Sequence, residues 1–198
     1  MKPTRVRLMN STTVESIARQ VNLASGAVMP SVSPQQAPTS CVSLPPSQDP
    51  AQIRQRCTTG DVYFIHNDNE IQQVILHIFG KGAKSMMYAF IALAPDGRTV
   101  KNLLYYQQNE TPLLGARVED PAWLRQWSGK KLLNDRTQPA LKVVQSDADP
   151  HDVYTVDGIS VATMTSIGVE KSVNHWMGER GYGPFLQHLA KEKPLILQ

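Results

Sequence analysis

The sequence has few cysteines, no long apolar run and only a small excess of positive charge. Cys41 and Cys57 are its two cysteines. They have no metal-ligand companions, so they are either both free or paired with each other around one small loop. No apolar run approaches the ~20 residues that span a bilayer, and the N terminus has no signal-peptide core. We therefore expect a soluble chain.

Charge and composition exclude further classes. The formal net charge is +3 and the pI is about 8.9, which is too mild and too dispersed to indicate nucleic-acid binding. The histidines lack the spacing of metal ligands, so we expect no metal site. A hydrophobic content of 41% over 198 residues allows one packed domain, with or without a flexible arm.

The first 58 residues differ in composition from the rest. The apolar spacing over Thr12 to Leu23 predicts a short helix. Residues 25–50 are rich in Pro, Ser and Gln, which predicts an extended or mobile segment, and Pro50 to Arg56 could add one helical turn. We therefore divide the chain into a mostly flexible arm, 1–58, and a compact domain, 59–198.

The compact domain is predicted to be α+β, with antiparallel sheets and a few packed helices. Stretches rich in apolar and β-branched residues predict strands over Asp61–His66, Gln72–Phe79, Met86–Leu93, Thr99–Gln107 and Leu141–Val144. The turn residues Pro95–Arg98 make a hairpin of the third and fourth strands. Helices are predicted over Pro121–Trp127 with Asp120 as N-cap, over Ser166–Met177 ending at Gly178, and over Phe185–Ala190.

A run of small and hydroxyl residues, Asp157 to Ser166, precedes the second helix. Helix starts have unpaired backbone N–H groups and favour anions, so a phosphate could bind there. The hydroxyls in position for it are Ser160, Thr163 and Thr165. The alternative is an ordinary Ser/Thr helix cap. Asp157 could help to position a metal or the loop, or could simply form the turn with the following glycine.

Two other loops are candidates for ligand binding. Glu110 to Gly115 follows a strand, and its backbone and aliphatic side chains could lie against a flat aromatic ligand; alternatively, it is a plain connection. The glycines and lysines of Gly80 to Lys84 suggest phosphate binding, but no nucleotide-loop pattern is completed there. A solvated turn is the better interpretation of Gly80 to Lys84.

A series of short motifs occurs along the chain in a fixed order: Gly80-Lys-Gly, Met87-Tyr88-Ala-Phe90-Ile-Ala-Leu93, Pro95-Asp-Gly97, Glu110-Thr-Pro112, Leu114-Gly115, Trp127-x-Gly-Lys-Lys131, Lys142-Val-Val144, Val156-Asp-Gly158 and Gly181-Tyr-Gly-Pro-Phe185. Together they resemble the C subunits of the sodium-translocating NADH:quinone oxidoreductases. These belong to the FMN-binding domain family, which is shared with the Rnf electron-transport complex. The resemblance covers roughly Ile75 to Leu189.

The resemblance implies a cofactor and its site. Members of the family carry FMN covalently on the last threonine of an Asp-x-x-Ser/Thr-Gly-Ala-Thr motif, which corresponds to Thr163. A separate flavin transferase attaches the FMN, using FAD and Mg²⁺. The Asp, Ser/Thr and Ala of the same motif correspond to Asp157, Ser160 and Ala162. The loop that packs near the flavin corresponds to Glu110, Thr111, Leu114 and Gly115, and we add Lys142 and Thr165 as candidate cofactor-binding residues.

The resemblance also implies a function. The domain would lie on the periplasmic side of the bacterial inner membrane and pass electrons between redox centres of the membrane complex, its flavin cycling through one-electron states. Its partners would be the other subunits and, during maturation, the flavin transferase. One alternative is a non-catalytic binding or assembly module that has lost the flavin. Another is a protein that binds flavin non-covalently.

The sequence departs from the family pattern at several points. Val161 stands where the family motif has glycine. Leu113 and Ala116 replace two further family glycines, in and directly after the loop from Glu110 to Gly115. Valine is β-branched and strongly disfavours positive φ, so a backbone that needs positive φ at Val161 would be strained. Residues 1–60 also contain no counterpart of the family's N-terminal membrane helix.

Overall fold

A computed structural model describes residues 4–7, 13–29, 40–67 and 70–191. The strands are β1 (Thr4–Arg7), β2 (Thr13–Asn22), β3 (Cys41–Ser43), β4 (Gln55–Cys57), β5 (Thr59–Asn67), β6 (Glu70–Lys81), β7 (Met86–Leu93), β8 (Val100–Gln107), β9 (Lys142–Val144) and β10 (Thr155–Asp157). The α-helices are α1 (Pro121–Arg125), α2 (Thr163–Met177) and α3 (Gly183–Lys191), and short 3-10 helices span Pro46–Gln48 and Gly115–Glu119.

A six-stranded antiparallel sheet is the centre of the fold. Its strand order is β1-β2-β5-β6-β7-β8. Two smaller sheets accompany it: β9 and β10 pair in parallel, and β3 and β4 pair antiparallel. The predicted α+β class is confirmed, as are the hairpin of β7 and β8 and the cap of α1, where the Asp120 carboxylate accepts the Ala122 N–H at 2.8 Å.

One face of the large sheet carries the core. Along β6, side chains are buried at every second position from Val74 to Ile78, as the two-residue period of a strand requires. Helix α2 packs there through four buried residues: Val169, Val173, Trp176 and Met177. In α3, Phe185 meets Phe64 of β5 edge to face, with ring centroids 6.0 Å apart.

The helix predicted over Thr12 to Leu23 is wrong: Thr13–Asn22 forms strand β2. It pairs with β5 over eight residues, and Val21 and the following Leu23 are buried in the core. The spacing of the apolar residues fits a helix as well as a strand, and β-branched residues such as Ile17 favour the strand once a partner is available. Thr12 itself lies outside the described residues.

The helical turn predicted over Pro50 to Arg56 is also wrong. The carboxylate of Asp49 accepts the backbone N–H groups of Ile53 and Arg54 at 2.9 and 2.7 Å. The chain turns through positive φ at Gln52 and Arg54 and enters β4. These local bonds compete with helix formation, as Asp side chains commonly do in turns.

The described parts of residues 1–58 pack onto the same core as the rest. Ala51 and Ile53 are buried, and the carbonyl of Ala51 accepts the N–H of Lys81 at the end of β6 at 2.8 Å. Cys41 and Cys57 lie opposite each other and form a disulfide. This packing differs from a mostly flexible arm over the described residues; residues 30–39 of the expected mobile segment lie outside them.

Within the ranges given above, no helix combines the length and the apolar character needed to cross a membrane.

Candidate functional site

Helix α2 begins at Thr163, three residues before the predicted start. The preceding residue, Ala162, has no side chain that can cap the helix, and no other side chain of residues 4–7, 13–29, 40–67 or 70–191 caps it in its place. An ordinary Ser/Thr cap is therefore not present. Among the described residues, the backbone N–H groups of Thr163, Met164 and Thr165 have no hydrogen-bond partner. Such a helix start has the free donors and positive dipole end that bind phosphate.

The three candidate hydroxyls at this helix start differ in access. The side chains of Ser160 and Thr163 are exposed, and no protein group in the described ranges bonds to their hydroxyls. Thr165 is only 1% exposed, and its hydroxyl donates to Glu110 at 2.7 Å. Thr163 is thus the one of the three that lies within the helix and remains open to solvent.

A cavity of about 330 Å³ opens beside the first turn of α2. It is lined by Val143, Val144, Gln145, Ser146, Gly158, Ile159, Ser160, Val161, Thr163, Ser166 and Ile167. The lining combines aliphatic side chains with hydroxyl and amide groups. This combination suits a ligand that has both a flat apolar part and a polar part.

Asp157 shapes the cavity through its own contacts. Its carboxylate accepts the N–H of Ala148 at 2.8 Å, which holds the loop after β9. Its backbone N–H donates to the side-chain oxygen of Gln126 at 2.6 Å, and its carbonyl accepts from Gln126 and from the Trp123 indole at 3.0 and 2.8 Å. These bonds tie the loop after β9 and the residue that follows α1 to Asp157, and so position the loop beside the cavity.

Ser166 closes the loop between β10 and α2. Its hydroxyl accepts the N–H of Ile159 at 2.9 Å and donates to the carbonyl of Ala162 at 3.1 Å. A side chain at Gly158 would place its Cβ 3.0 Å from the Ser166 hydroxyl and from the Val144 carbonyl. The loop is thus folded tightly against the helix start, which fixes the position of Thr163.

Two residues that replace family glycines have left-handed backbones. Val161 has φ of 58° and Leu113 has φ of 61°. Their side chains are 79% and 86% exposed, so no buried contact compensates for the conformation. The strain predicted for Val161 is therefore present, at a cost of roughly 1–2 kcal/mol. Ala116 instead lies in the 3-10 helix Gly115–Glu119 and has no positive φ.

The loop from Glu110 to Gly115, which its sequence makes a candidate for ligand binding, reaches α2 through Glu110. Glu110 is 4% exposed, and its carboxylate accepts hydrogen bonds from Thr165 and from the turn between β6 and β7. Burial favours a higher pKa, but the hydrogen bonds from Thr165, Ser85 and Lys84 outweigh it and hold the pKa of Glu110 below its usual value. Gly115 is buried beside this contact.

The remaining residues predicted to bind the cofactor do not line the cavity beside α2. Thr111 and Leu114 lie in the loop with exposed side chains, and the Thr111 carbonyl accepts the N–H groups of Leu114 and Ala116. The Lys142 side chain is exposed and does not line the cavity, although its neighbours Val143 and Val144 do. The structure thus brings Glu110, Gly115 and Thr165 together on one side of α2, and Ser160, Ala162 and Thr163 at its start.

Sequence reasoning missed Gln126, Trp123 and Ser166 as supports of the site. Trp123 lies in the helix predicted over Pro121–Trp127, with no role in the site assigned to it. No local pattern marks Gln126, because its partner Asp157 is 31 residues away. A signal for Ser166 does exist in the sequence: a serine in the first turn of a helix can bond back to its own loop.

Comparisons with known proteins agree with this geometry. Residues 82–178 match the FMN-binding domain family. The crystal structure of NqrC from Shewanella oneidensis superposes with a TM-score of 0.81 at 30% identity, covering 89% of this chain and 85% of that one. A second structure, the C subunit of the Na(+)-translocating NADH-quinone reductase from Parabacteroides distasonis, has a TM-score of 0.57 at 21% identity, over 88% of this chain and 76% of that one, which supports the fold alone.

Two relatives are more similar in sequence. The C subunit of the Na(+)-translocating NADH-quinone reductase of Yersinia pestis is 48% identical over 151 residues, and that of Vibrio alginolyticus is 49% identical over 145 residues. The matches cover 76% and 73% of this chain, and the chain spans 57% of the length of each relative.

Fold and site therefore define an FMN-binding domain protein of the α+β class. Within that class, the chain belongs to the family of C subunits of the Na(+)-translocating NADH-quinone reductases.

Proposed function

We propose that this chain is the electron-carrying C subunit of a sodium-translocating NADH:quinone oxidoreductase, with FMN bound covalently to Thr163. The observation that carries the proposal is the start of α2, where an exposed threonine hydroxyl lies beside three free backbone N–H groups. Those groups can bind the phosphate of FMN and offset its charge. The adjoining cavity of about 330 Å³ offers aliphatic walls for the flavin ring.

The attachment is a phosphoryl transfer. The Thr163 hydroxyl oxygen attacks the FMN-side phosphorus of FAD, the phosphoanhydride bond breaks, AMP leaves and the hydroxyl proton is released. A flavin transferase with Mg²⁺ catalyses this step. Once bound, FMN supplies the electron transfer, and the protein supplies position, electrostatics and burial.

We further propose that the domain works on the periplasmic side of the inner membrane. The support is the disulfide between Cys41 and Cys57, since disulfides form and persist in oxidising compartments and are rare in the cytosol. In that position, the other subunits of the reductase are its partners, and the flavin transferase is its partner during maturation.

Co-expression with the flavin transferase, followed by intact mass measurement, tests the proposal. We expect one FMN increment in the wild type and none in Thr163→Ala. Ser128→Ala is the matched control, because Ser128 is an exposed hydroxyl away from the site, and it should keep the increment. A wild type without the increment, or Thr163→Ala with it, would contradict the proposal.

A second candidate function is a binding or assembly module without flavin. The observation that favours it is the strained backbone at Val161 and Leu113, where the family pattern has glycine. This alternative predicts a colourless protein even with transferase present. If Val161→Gly then gains FMN, Thr163 can accept the flavin and the backbone at Val161 prevents attachment in the wild type. If Val161→Gly stays unmodified, the result supports a module without flavin. A non-covalent flavoprotein would instead be yellow and release its flavin on acid precipitation.

A further inference from the structure

The Glu110 carboxylate is fully occupied by protein donors. One oxygen accepts the N–H groups of Lys84 and Ser85 at 2.9 and 2.7 Å and the Ser85 hydroxyl at 3.0 Å. The other accepts the Ala83 N–H at 3.0 Å and the Thr165 hydroxyl at 2.7 Å. A carboxylate offers about four lone-pair sites. Glu110 therefore has no acceptor capacity left for a ligand, and its role lies in what it holds.

Glu110 holds two elements that are distant in the sequence. Through Ala83, Lys84 and Ser85 it orders the turn between β6 and β7, and through Thr165 it binds the first turn of α2. Helix α2 approaches the same turn closely, since a Cβ on Gly168 would overlap the carbonyl oxygen of Lys81. The carboxylate thus fixes the helix start against the end of the sheet.

The same contact removes the Thr165 hydroxyl from solvent. A side chain at Gly115 would place its Cβ 2.5 Å from the Thr165 hydroxyl and 2.7 Å from a Glu110 carboxylate oxygen, so the glycine leaves room for this bond. The Thr165 hydroxyl proton points at the carboxylate, and the side chain is 1% exposed. Its oxygen cannot reach a phosphorus atom from this position, whereas Thr163, two residues earlier, is exposed.

We propose that Glu110 is a specificity-determining positioning residue, which selects Thr163 as the flavin acceptor by holding the Thr165 hydroxyl in a closed, buried hydrogen bond. This inference rests on the proposed function, because it concerns the same phosphoryl transfer from FAD. It assigns Glu110 a role without flavin contact. Thr165 is the hydroxyl that becomes available when the carboxylate is lost.

The first test locates the attached FMN by peptide mass mapping after co-expression with the flavin transferase. We expect label on Thr163 in the wild type and in Glu179→Gln, an exposed control, and no label in Thr163→Ala. In Thr163→Ala/Glu110→Gln we expect label on Thr165. Label on Thr165 in Thr163→Ala alone, or its absence from the folded double variant, would overturn the inference.

The second test needs no flavin and separates the two proposals. Both native cysteines are in the disulfide, so an introduced cysteine is the free thiol. Thr165→Cys should react with iodoacetamide at least about tenfold more slowly than Thr163→Cys, because buried thiols are inert. Adding Glu110→Gln should remove most of this difference, while adding Glu179→Gln should not.

The outcomes of the two tests are distinguishable. Equal alkylation rates for the two single cysteine variants would overturn the role of Glu110, whatever happens with flavin. An unlabelled wild type combined with protected Thr165→Cys would reject the proposed function and leave the buried contact in place. If Glu110→Gln variants fail to fold, equal alkylation rates of Thr165→Cys and Thr163→Cys would still overturn the inference.

Discussion

At the scale of single residues, the left-handed backbone of Val161 makes a definite prediction. Glycine adopts φ of 58° without the cost of roughly 1–2 kcal/mol that valine bears, while its greater freedom in the unfolded chain takes back about 0.5–1 kcal/mol. The Val161 side chain is 79% exposed, so little burial is lost. Val161→Gly should therefore stabilise the protein by about 0.5–1 kcal/mol in urea unfolding.

Val153→Gly is the control for this substitution. Val153 is also exposed but has no positive φ, so glycine there should lower stability by about 0.5–1 kcal/mol. Equal losses in Val153→Gly and Val161→Gly would show that the left-handed conformation at residue 161 costs nothing.

His175 predicts a pH dependence at the same scale. It is 6% exposed, and its Nε2 atom has no hydrogen-bond partner within the described part of the chain. Burial lowers the pKa of His175, Asp49 opposes this, and Arg180 and Arg56 add to it. A histidine with a lowered folded pKa binds fewer protons when folded than when unfolded. Stability is therefore complete above the ordinary value of 6.5 and falls as the pH drops from there toward the folded pKa.

Urea unfolding at pH 7.5 and 5.5 measures this effect. We expect the wild type to be less stable at pH 5.5, and His175→Asn to lose part of that difference. His188→Asn, which replaces an exposed histidine of α3, should keep the wild-type dependence. An unchanged pH dependence in His175→Asn would exclude His175 as its source.

At the scale of elements, the contact between α2 and β6 depends on Gly168. Alanine normally stabilises a helix interior by about 1 kcal/mol over glycine. Here the added Cβ would overlap the Lys81 carbonyl oxygen and lie 3.0 Å from the Cα of Gly82, and backbone atoms cannot give way as a flexible side chain can. Gly168→Ala should therefore destabilise the protein by about 1–2 kcal/mol, reversing the sign expected from helix propensity.

Lys171→Ala provides the comparison, because Lys171 is exposed on the same helix and should change stability by no more than about 0.5 kcal/mol. Urea midpoints of the two variants give the answer. A Gly168→Ala protein that is more stable than the wild type would mean that α2 does not approach β6 this closely.

The elements differ in how far sequence could predict them. Strands β5 to β8 were predictable because they are rich in apolar residues and because turn residues separate β7 from β8. Strand β2 was not, because the spacing of its apolar residues fits a helix until the pairing with β5 is known. The bond between Glu110 and Thr165 joins residues 55 positions apart, and no local pattern encodes such a contact.

The candidate site was also predictable only in part from the sequence. The run of small and hydroxyl residues identified the start of α2, and the family resemblance singled out Thr163 from its neighbours. Strain at Val161 was predicted on the condition that the backbone has positive φ there, and the structure has positive φ at that residue. The support from Gln126 could not be predicted, because it depends on how α1 and β10 come together.

At the scale of the whole molecule, the disulfide ties the N-terminal part of the chain to the core. Cys41 and Cys57 are 16 residues apart, and the segment between them inserts Ala51 and Ile53 into the core. Closing a loop of this length stabilises a protein by about 3 kcal/mol, largely by restricting the unfolded chain. For a chain of this size, that corresponds to a fall in Tm of roughly 6–12 °C when the bond is removed.

Cys41→Ser/Cys57→Ser should therefore melt roughly 6–12 °C below the wild type in thermal unfolding followed by circular dichroism. A reducing agent should lower the wild-type Tm by a similar amount and leave the double variant unchanged, which separates loss of the bond from the effect of the two substitutions.

Ala51 also accepts the N–H of Lys81, next to the turn that Glu110 holds. Amide exchange at residues 81–85 should therefore speed up in the double variant; a lower Tm without faster exchange there would confine the effect of the disulfide to its own loop.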